Sequence, residues 1–176
     1  MCQVNLLPVS SVHTRNLDRV VEMNILGGKN ATAKLHTSGD REDLGAISEM
    51  NSVYWLDQSN IKVTQFEPTI PGLATKPIDF VADNGLNYQN AATTNALRSK
   101  LQGLKLKQTA EGILAVEKSS PGSFRFLGSD IDKSNLDDVL GHLNAELVSL
   151  QDLAGIPATD RIRALGLIDV VVLPWQ

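Results

Sequence analysis

Between Leu136 and Ala154, apolar side chains recur in steps of three and four: Leu136, Val139, Leu140, Leu143, Leu147, Leu150 and Ala154. Such steps gather them into one stripe of an α-helix, and a stripe of that width has to be covered. The flanking residues supply both ends. Ser134 stands three positions before Asp137, the spacing at which a hydroxyl and a carboxylate cap backbone donors reciprocally, and Asp137 and Asp138 suit the positive end of a helix. Gly155 and Pro157 stop it. A helix over residues 135–154 is therefore expected. Its Leu136, Val139, Leu140, Leu143, Leu147 and Leu150 pack either into the chain's own core or into an interface between copies.

Ahead of this helix the apolar period is mostly two. Val21, Met23 and Ile25 alternate with polar residues, Gly27-Gly28-Lys29-Asn30 intervenes, and Ala33 and Leu35 resume, which reads as a hairpin over residues 19–37. Val53 and Trp55, the turn residues Asp57-Gln58-Ser59-Asn60, and then Ile61 and Val63 read as a second antiparallel pair over 52–66. Leu44 and Ile47 allow one helical turn or two between 40 and 50. Pro68, Pro71 and Pro77 with Gly72 exclude a regular element through the loop 67–77, because proline lacks the ladder donor. A short strand over 78–81 and a helix over 84–102, carrying Ala91, Ala92, Leu97 and Leu101, follow. Leu104 and Leu106, then Leu114 and Val116, then Phe124 and Phe126 form three alternating runs with turns at Ala110-Glu111-Gly112 and Ser119-Ser120-Pro121-Gly122, the pattern of a meander. Thr159 or Asp160 can start a shorter helix through Ile162 and Leu165. Val170 to Leu173 reads as a buried strand or terminal anchor.

The expected fold is one α+β domain across residues 1–176, an antiparallel β-sheet of hairpins and a meander with C-terminal helices packed on it or across a subunit interface. In element order this resembles the coat proteins of single-stranded RNA phages, which carry an N-terminal hairpin, an antiparallel sheet and two C-terminal helices. The helix over 84–102 departs from that pattern.

Catalytic and cofactor signatures are missing. His13, His36 and His142 show no metal-binding spacing, and Cys2, the sole cysteine, can form neither an intrachain disulfide nor a cysteine zinc site. Gly27-Gly28-Lys29 lacks the spacing of a phosphate loop, and no dinucleotide fingerprint or nucleophile elbow occurs. Asp130, Asp132, Asp137 and Asp138 do not make a calcium loop, and capping explains them. Asn30-Ala31-Thr32 fits a glycosylation acceptor formally. No metal, no cofactor and no catalytic residue is assigned.

Charge adds one feature. The net charge of -4 argues against bulk coating by nucleic acid, yet no acidic residue lies between Asp83 and Glu111, where Arg98, Lys100, Lys105 and Lys107 fall. On a strand, Lys105 and Lys107 leave one face about 7 Å apart, close to the spacing of successive phosphates. With no aromatic among them, such a surface holds backbone rather than bases. Asparagine, occurring twelve times, adds the uncharged polar surface common where subunits pack.

The functional expectation is a non-enzymatic, self-assembling subunit, most concretely a viral coat or capsid protein. Its partners are further copies of itself and single-stranded nucleic acid, its place is the virion or, if it is not viral, the cytoplasm, and it has no membrane association. The alternative is a small soluble enzyme or ligand-binding domain whose site gathers residues such as His36, Tyr54 and Asp57 around the loop 67–77.

Overall fold

A computed structural model of the chain describes residues 18–30, 44–128, 131–149 and 169–172. The fold is α+β, with a five-stranded mixed sheet. Helix α1 (Leu44–Gln58) precedes β1 (Val63–Phe66), β2 (Phe80–Ala82) and β3 (Asn87–Asn90); α2 (Thr94–Lys100) and α3 (Gly103–Ser119) lead to β4 (Phe124–Gly128); α4 (Leu136–Ser149) precedes β5 (Asp169–Val172). The strands lie in chain order, with β1–β2 and β2–β3 antiparallel but β3–β4 and β4–β5 parallel.

Two expected strand regions are helices. Residues 52–58 belong to α1, in which Ala46, Met50, Val53 and Leu56 are buried at steps of three and four. The turn after it closes the helix rather than a hairpin. Asn60, with φ +60°, takes the left-handed position, its N–H donates to Asp57 O at 2.9 Å, and Ile61 N–H donates to Leu56 O at 2.9 Å. These are the two bonds of a Schellman stop, sealed by Ile61 packing into the cluster that holds Leu56.

The second is α3, read from sequence as two strands of a meander. Ala110, Ile113, Leu114 and Val116 face the core, whereas Leu104 is 71% exposed, so the apparent alternation marks no buried sheet face. A helix here is what allows β3 and β4 to run parallel, because a parallel pair needs a crossover and a tight turn cannot supply one. Gly112, expected in a turn, sits mid-helix because Pro77 lies against it; a Cβ there would come within 2.3 Å of the proline ring carbons.

Other differences are local. Residues 18–22 and 28–30 are helical turns, and Leu26 forms an isolated parallel bridge to Gln65, so the described part of 19–37 is not a hairpin. The expected helix 84–102 divides into β3 and the shorter α2, and Thr93 caps α2 by accepting from Ala96 N–H. The expected strand 78–81 appears as β2, the loop before it has no regular element, and Phe124 with Phe126 lies in β4. Ser134 does not build a capping box with Asp137; its N–H and hydroxyl both donate to Asp132, which caps the 3-10 turn Lys133–Asn135 leading into α4. Residues 150–154, the proposed helix after Thr159, Leu173, Cys2, His13 and His36 lie outside the described residues.

Helices cover both faces of the sheet. Phe124 and Phe126, edge to face at 5.0 Å, meet Leu97, Ile113, Leu114, Val139, Leu143 and Leu147 from α2, α3 and α4. Leu127, pointing the other way, joins Phe66, Phe80 and Tyr88 beneath Met50, Val53 and Leu56 of α1. Val139, Leu143 and Leu147 are thus spent on the chain's own core, Leu136 and Leu140 pack partly against it, and Leu150 lies outside the described residues. Among the described residues, no helix is long and apolar enough to cross a membrane.

Candidate functional site

The loop 67–77 ends at a sheet margin where polar groups converge. Pro77 is wedged against Gly112, Ile78 is fully buried, and Asp79 is fixed through its backbone: its N–H donates to Tyr88 O at 2.9 Å and its carbonyl accepts from Glu67 N–H at 2.8 Å. The Asp79 carboxylate then accepts twice on Oδ2, from Asn90 N–H at 2.6 Å and from Lys100 Nζ at 3.4 Å. Among the described residues no hydrogen bond reaches its Oδ1.

Asn90 ties this carboxylate to α1. Its side chain accepts from Ser52 Oγ at 2.8 Å and donates to Ser48 Oγ at 3.1 Å, and all three residues are buried. A buried polar set of this kind is stable only when each member is satisfied. Here it holds the last residue of β3 in place, and with it the backbone N–H that Asp79 uses.

Gln89 lies between the two β3 residues that bond Asp79. Tyr88 and Asn90 turn toward α1, so strand alternation sends Gln89 to the opposite face, the one from which Lys100 of α2 approaches. It is 7% exposed, and among the described residues its Oε1 has no hydrogen-bond partner. A buried acceptor without a donor is costly in an ordinary core and commonly marks a place for water, an ion or a ligand. The Asp79 carboxylate and the Lys100 ammonium form one bonded pair, and the open Gln89 oxygen belongs to the strand whose backbone bonds that carboxylate.

The four basic residues distribute differently from the strand geometry expected of them. Lys105 and Lys107 lie in the first two turns of α3, where two residues amount to about 200° of rotation, so they diverge instead of sharing a face. Nor is the positive charge uncancelled, since the fold brings Asp79 to Lys100 at 3.4 Å and Glu111 to Lys107 at 3.9 Å. Arg98 donates to Asn95 Oδ1 at 3.4 Å and borders a recess of about 180 Å³ with Leu101, Gln102, Asp138, Val139 and His142. Bonds from the Ser134 hydroxyl, the Ser134 N–H and the Asn135 amide hold the exposed Asp132 carboxyl below its ordinary range, with the Arg98 charge contributing.

Of the alternative site residues, Asp57 pairs with Arg19 at 3.4 Å and Tyr54 meets Trp55 edge-on along α1. Asp79, Gln89 and Asn90 were absent from the residues singled out in the sequence. Two signals pointed to them: an aspartate at the exit of a proline-rich loop directly before a strand, and the segment Asn87-Tyr88-Gln89-Asn90, too polar for a strand covered on both faces. Among the described residues, no three of His, Cys, Asp and Glu converge on a point that could hold a metal ion. No family model, no curated protein and no solved structure matches the chain.

Proposed function

We propose that the sheet-margin cluster is a hydrolytic site for phosphodiesters, with nucleic acid as the substrate class. The observation that carries this reading is the bonded Asp79–Lys100 pair together with the side-chain oxygen of Gln89, buried and without a partner among the described residues, on the strand that bonds Asp79. Magnesium-type ions use few protein ligands and take the remainder from water and substrate phosphates, so Asp79 Oδ1 and Gln89 Oε1 form a donor set of the right kind without a three-residue cage. A cation there would supply charge stabilisation to the phosphoryl group. The chain's own residues do the rest: Asp79 is held in one orientation by Asn90 and Lys100, and Lys100 offers its N–H donors to a phosphate oxygen. Hydrolysis joins the water oxygen to phosphorus as the bond to the leaving sugar oxygen breaks, and the proton the water gives up passes through solvent to that sugar oxygen.

This reading is preferred to the coat-subunit expectation because residues 52–58 and much of 103–119, expected as strands, are helices, and β3 pairs with β4 in parallel. The test incubates labelled single- and double-stranded DNA and RNA with the full chain and Mg²⁺ or Mn²⁺, beside calorimetric titration of Mn²⁺ alone. Asp79→Asn should abolish both cleavage and Mn²⁺ binding while the protein remains folded, and Gln89→Glu, which adds a second carboxylate, should tighten Mn²⁺ binding. Failure of the wild type to cleave any substrate, or to bind Mn²⁺, overturns the proposal.

A further inference from the structure

The recess between α2 and α4 takes no part in the Asp79 cluster, although Arg98 on its rim is only two residues from Lys100. The buried side chains of Leu101 and Val139 contribute its apolar lining. Its polar lining comes from Arg98, Gln102, Asp138 and His142, with Asp138 and His142 one turn apart on the same face of α4. At about 180 Å³ it matches one ring system rather than a drug-sized ligand, whose pockets run to roughly 300–1,000 Å³.

The charges narrow the ligand. Among the described residues Arg98 is the one full positive charge lining the recess; Asp138 lines it as well, and Arg98 also acts on Asp132. A free phosphate placed there would meet the Asp138 carboxylate beside the one guanidinium, so charge does not favour an anion. A neutral planar ring bearing acceptors on one edge and donors on another suits the lining better. Guanine presents O6 and N7 as acceptors, which a guanidinium fork reads together, and its N1–H and N2–H₂ donors match one carboxylate. His142 adds a flat aromatic face of the kind on which unpaired bases stack.

We propose that this recess binds a single unpaired guanine, with Arg98 reading the acceptor edge, Asp138 the donor edge, and His142 stacking. The inference rests on the nucleic-acid reading above only for the source of the base, and it deepens that reading by naming an unstacked guanine as the recognised feature of the substrate.

The test uses guanosine, which has no phosphate and needs no catalysis, titrated into the full chain by calorimetry and followed by amide NMR, with inosine, adenosine and cytidine alongside. Guanosine should bind roughly tenfold or more tighter than adenosine or cytidine, inosine should fall between them, and the shifted resonances should map to α2 and α4. Asp138→Asn should remove most of the preference for guanosine over inosine, because the lost carboxylate is the acceptor for the N2 amine. Equal binding of all four nucleosides, or shifts confined to other elements, overturns the recess assignment. Failure of the nuclease assay leaves the guanosine result standing, whereas cleavage without any guanosine binding removes the recess and leaves the Asp79 cluster.

Discussion

Glu117 offers the sharpest quantitative test of how the fold is held. It is 2% exposed, yet its carboxylate is fully engaged: Oε2 accepts from Gly122 N–H at 2.6 Å and Oε1 from Phe124 N–H at 3.2 Å. The end of α3 thereby grips the turn that aims β4 into the sheet, a turn in which Gly122 has φ +77°. Hydrogen bonds to a charged acceptor contribute about 1.5–3 kcal/mol each, so removing both in Glu117→Ala forfeits about 3–6 kcal/mol. Relief from burying the carboxylate returns part of that, leaving a net loss of about 2–4 kcal/mol, a large share of a stability of about 5–15 kcal/mol. Glu117→Gln keeps one acceptor and turns an NH₂ group toward the other donor, so it should fall between wild type and Ala. Urea unfolding followed by tryptophan fluorescence measures this, with the midpoint shift multiplied by an unchanged slope giving the loss. A Glu117→Ala midpoint shift worth less than about 1 kcal/mol, or a Gln variant as damaged as Ala, would refute the reasoning, because the two backbone donors would then have found other partners.

Three further outcomes follow from the same structure. Gly112→Ala should cost about 1–2 kcal/mol despite alanine's helix preference, because its methyl meets the Pro77 ring, and it should reduce whatever Asp79 does more than it reduces stability; parallel denaturation and Mn²⁺ titrations separate the two effects. Leu143→Asp should prevent folding, since a fully buried site would receive an unpaired carboxylate at a cost of several kcal/mol; a soluble variant with native amide NMR dispersion would contradict the core assignment. Asp132 has its folded pKa depressed below the unfolded value, so its contribution to stability is present above the unfolded value and is lost as pH falls through the folded one; the gap between wild-type and Asp132→Ala melting temperatures should therefore narrow on acidification from pH 5 downward.

The chain's local chemistry determined several elements without help from the fold. The leucine stripe of α4 runs over enough turns that only a helical period fits it, and the prolines of 67–77 forbid a ladder in any context. The short apolar runs of β2, β4 and β5 sit between breakers that leave room for little else. What the sequence left open were windows of four to six residues in which two periods fit equally well. Val53 with Trp55 and Leu104 with Leu106 satisfy strand alternation locally, and only packing showed that Val53 belongs to a helical set and that Leu104 faces outward. Strand direction was undecided for the same reason, because parallel pairing of β3 with β4 depends on α3 being a helix. The site lay furthest from view. Asp79 meets Lys100 across 21 positions, and Asn90 meets Ser52 and Ser48 across 38 and 42. Sequence specifies which donors and acceptors exist, but a carboxylate acquires its role from groups brought to within about 3 Å of it, and that proximity is created only when the sheet and its two helical layers close.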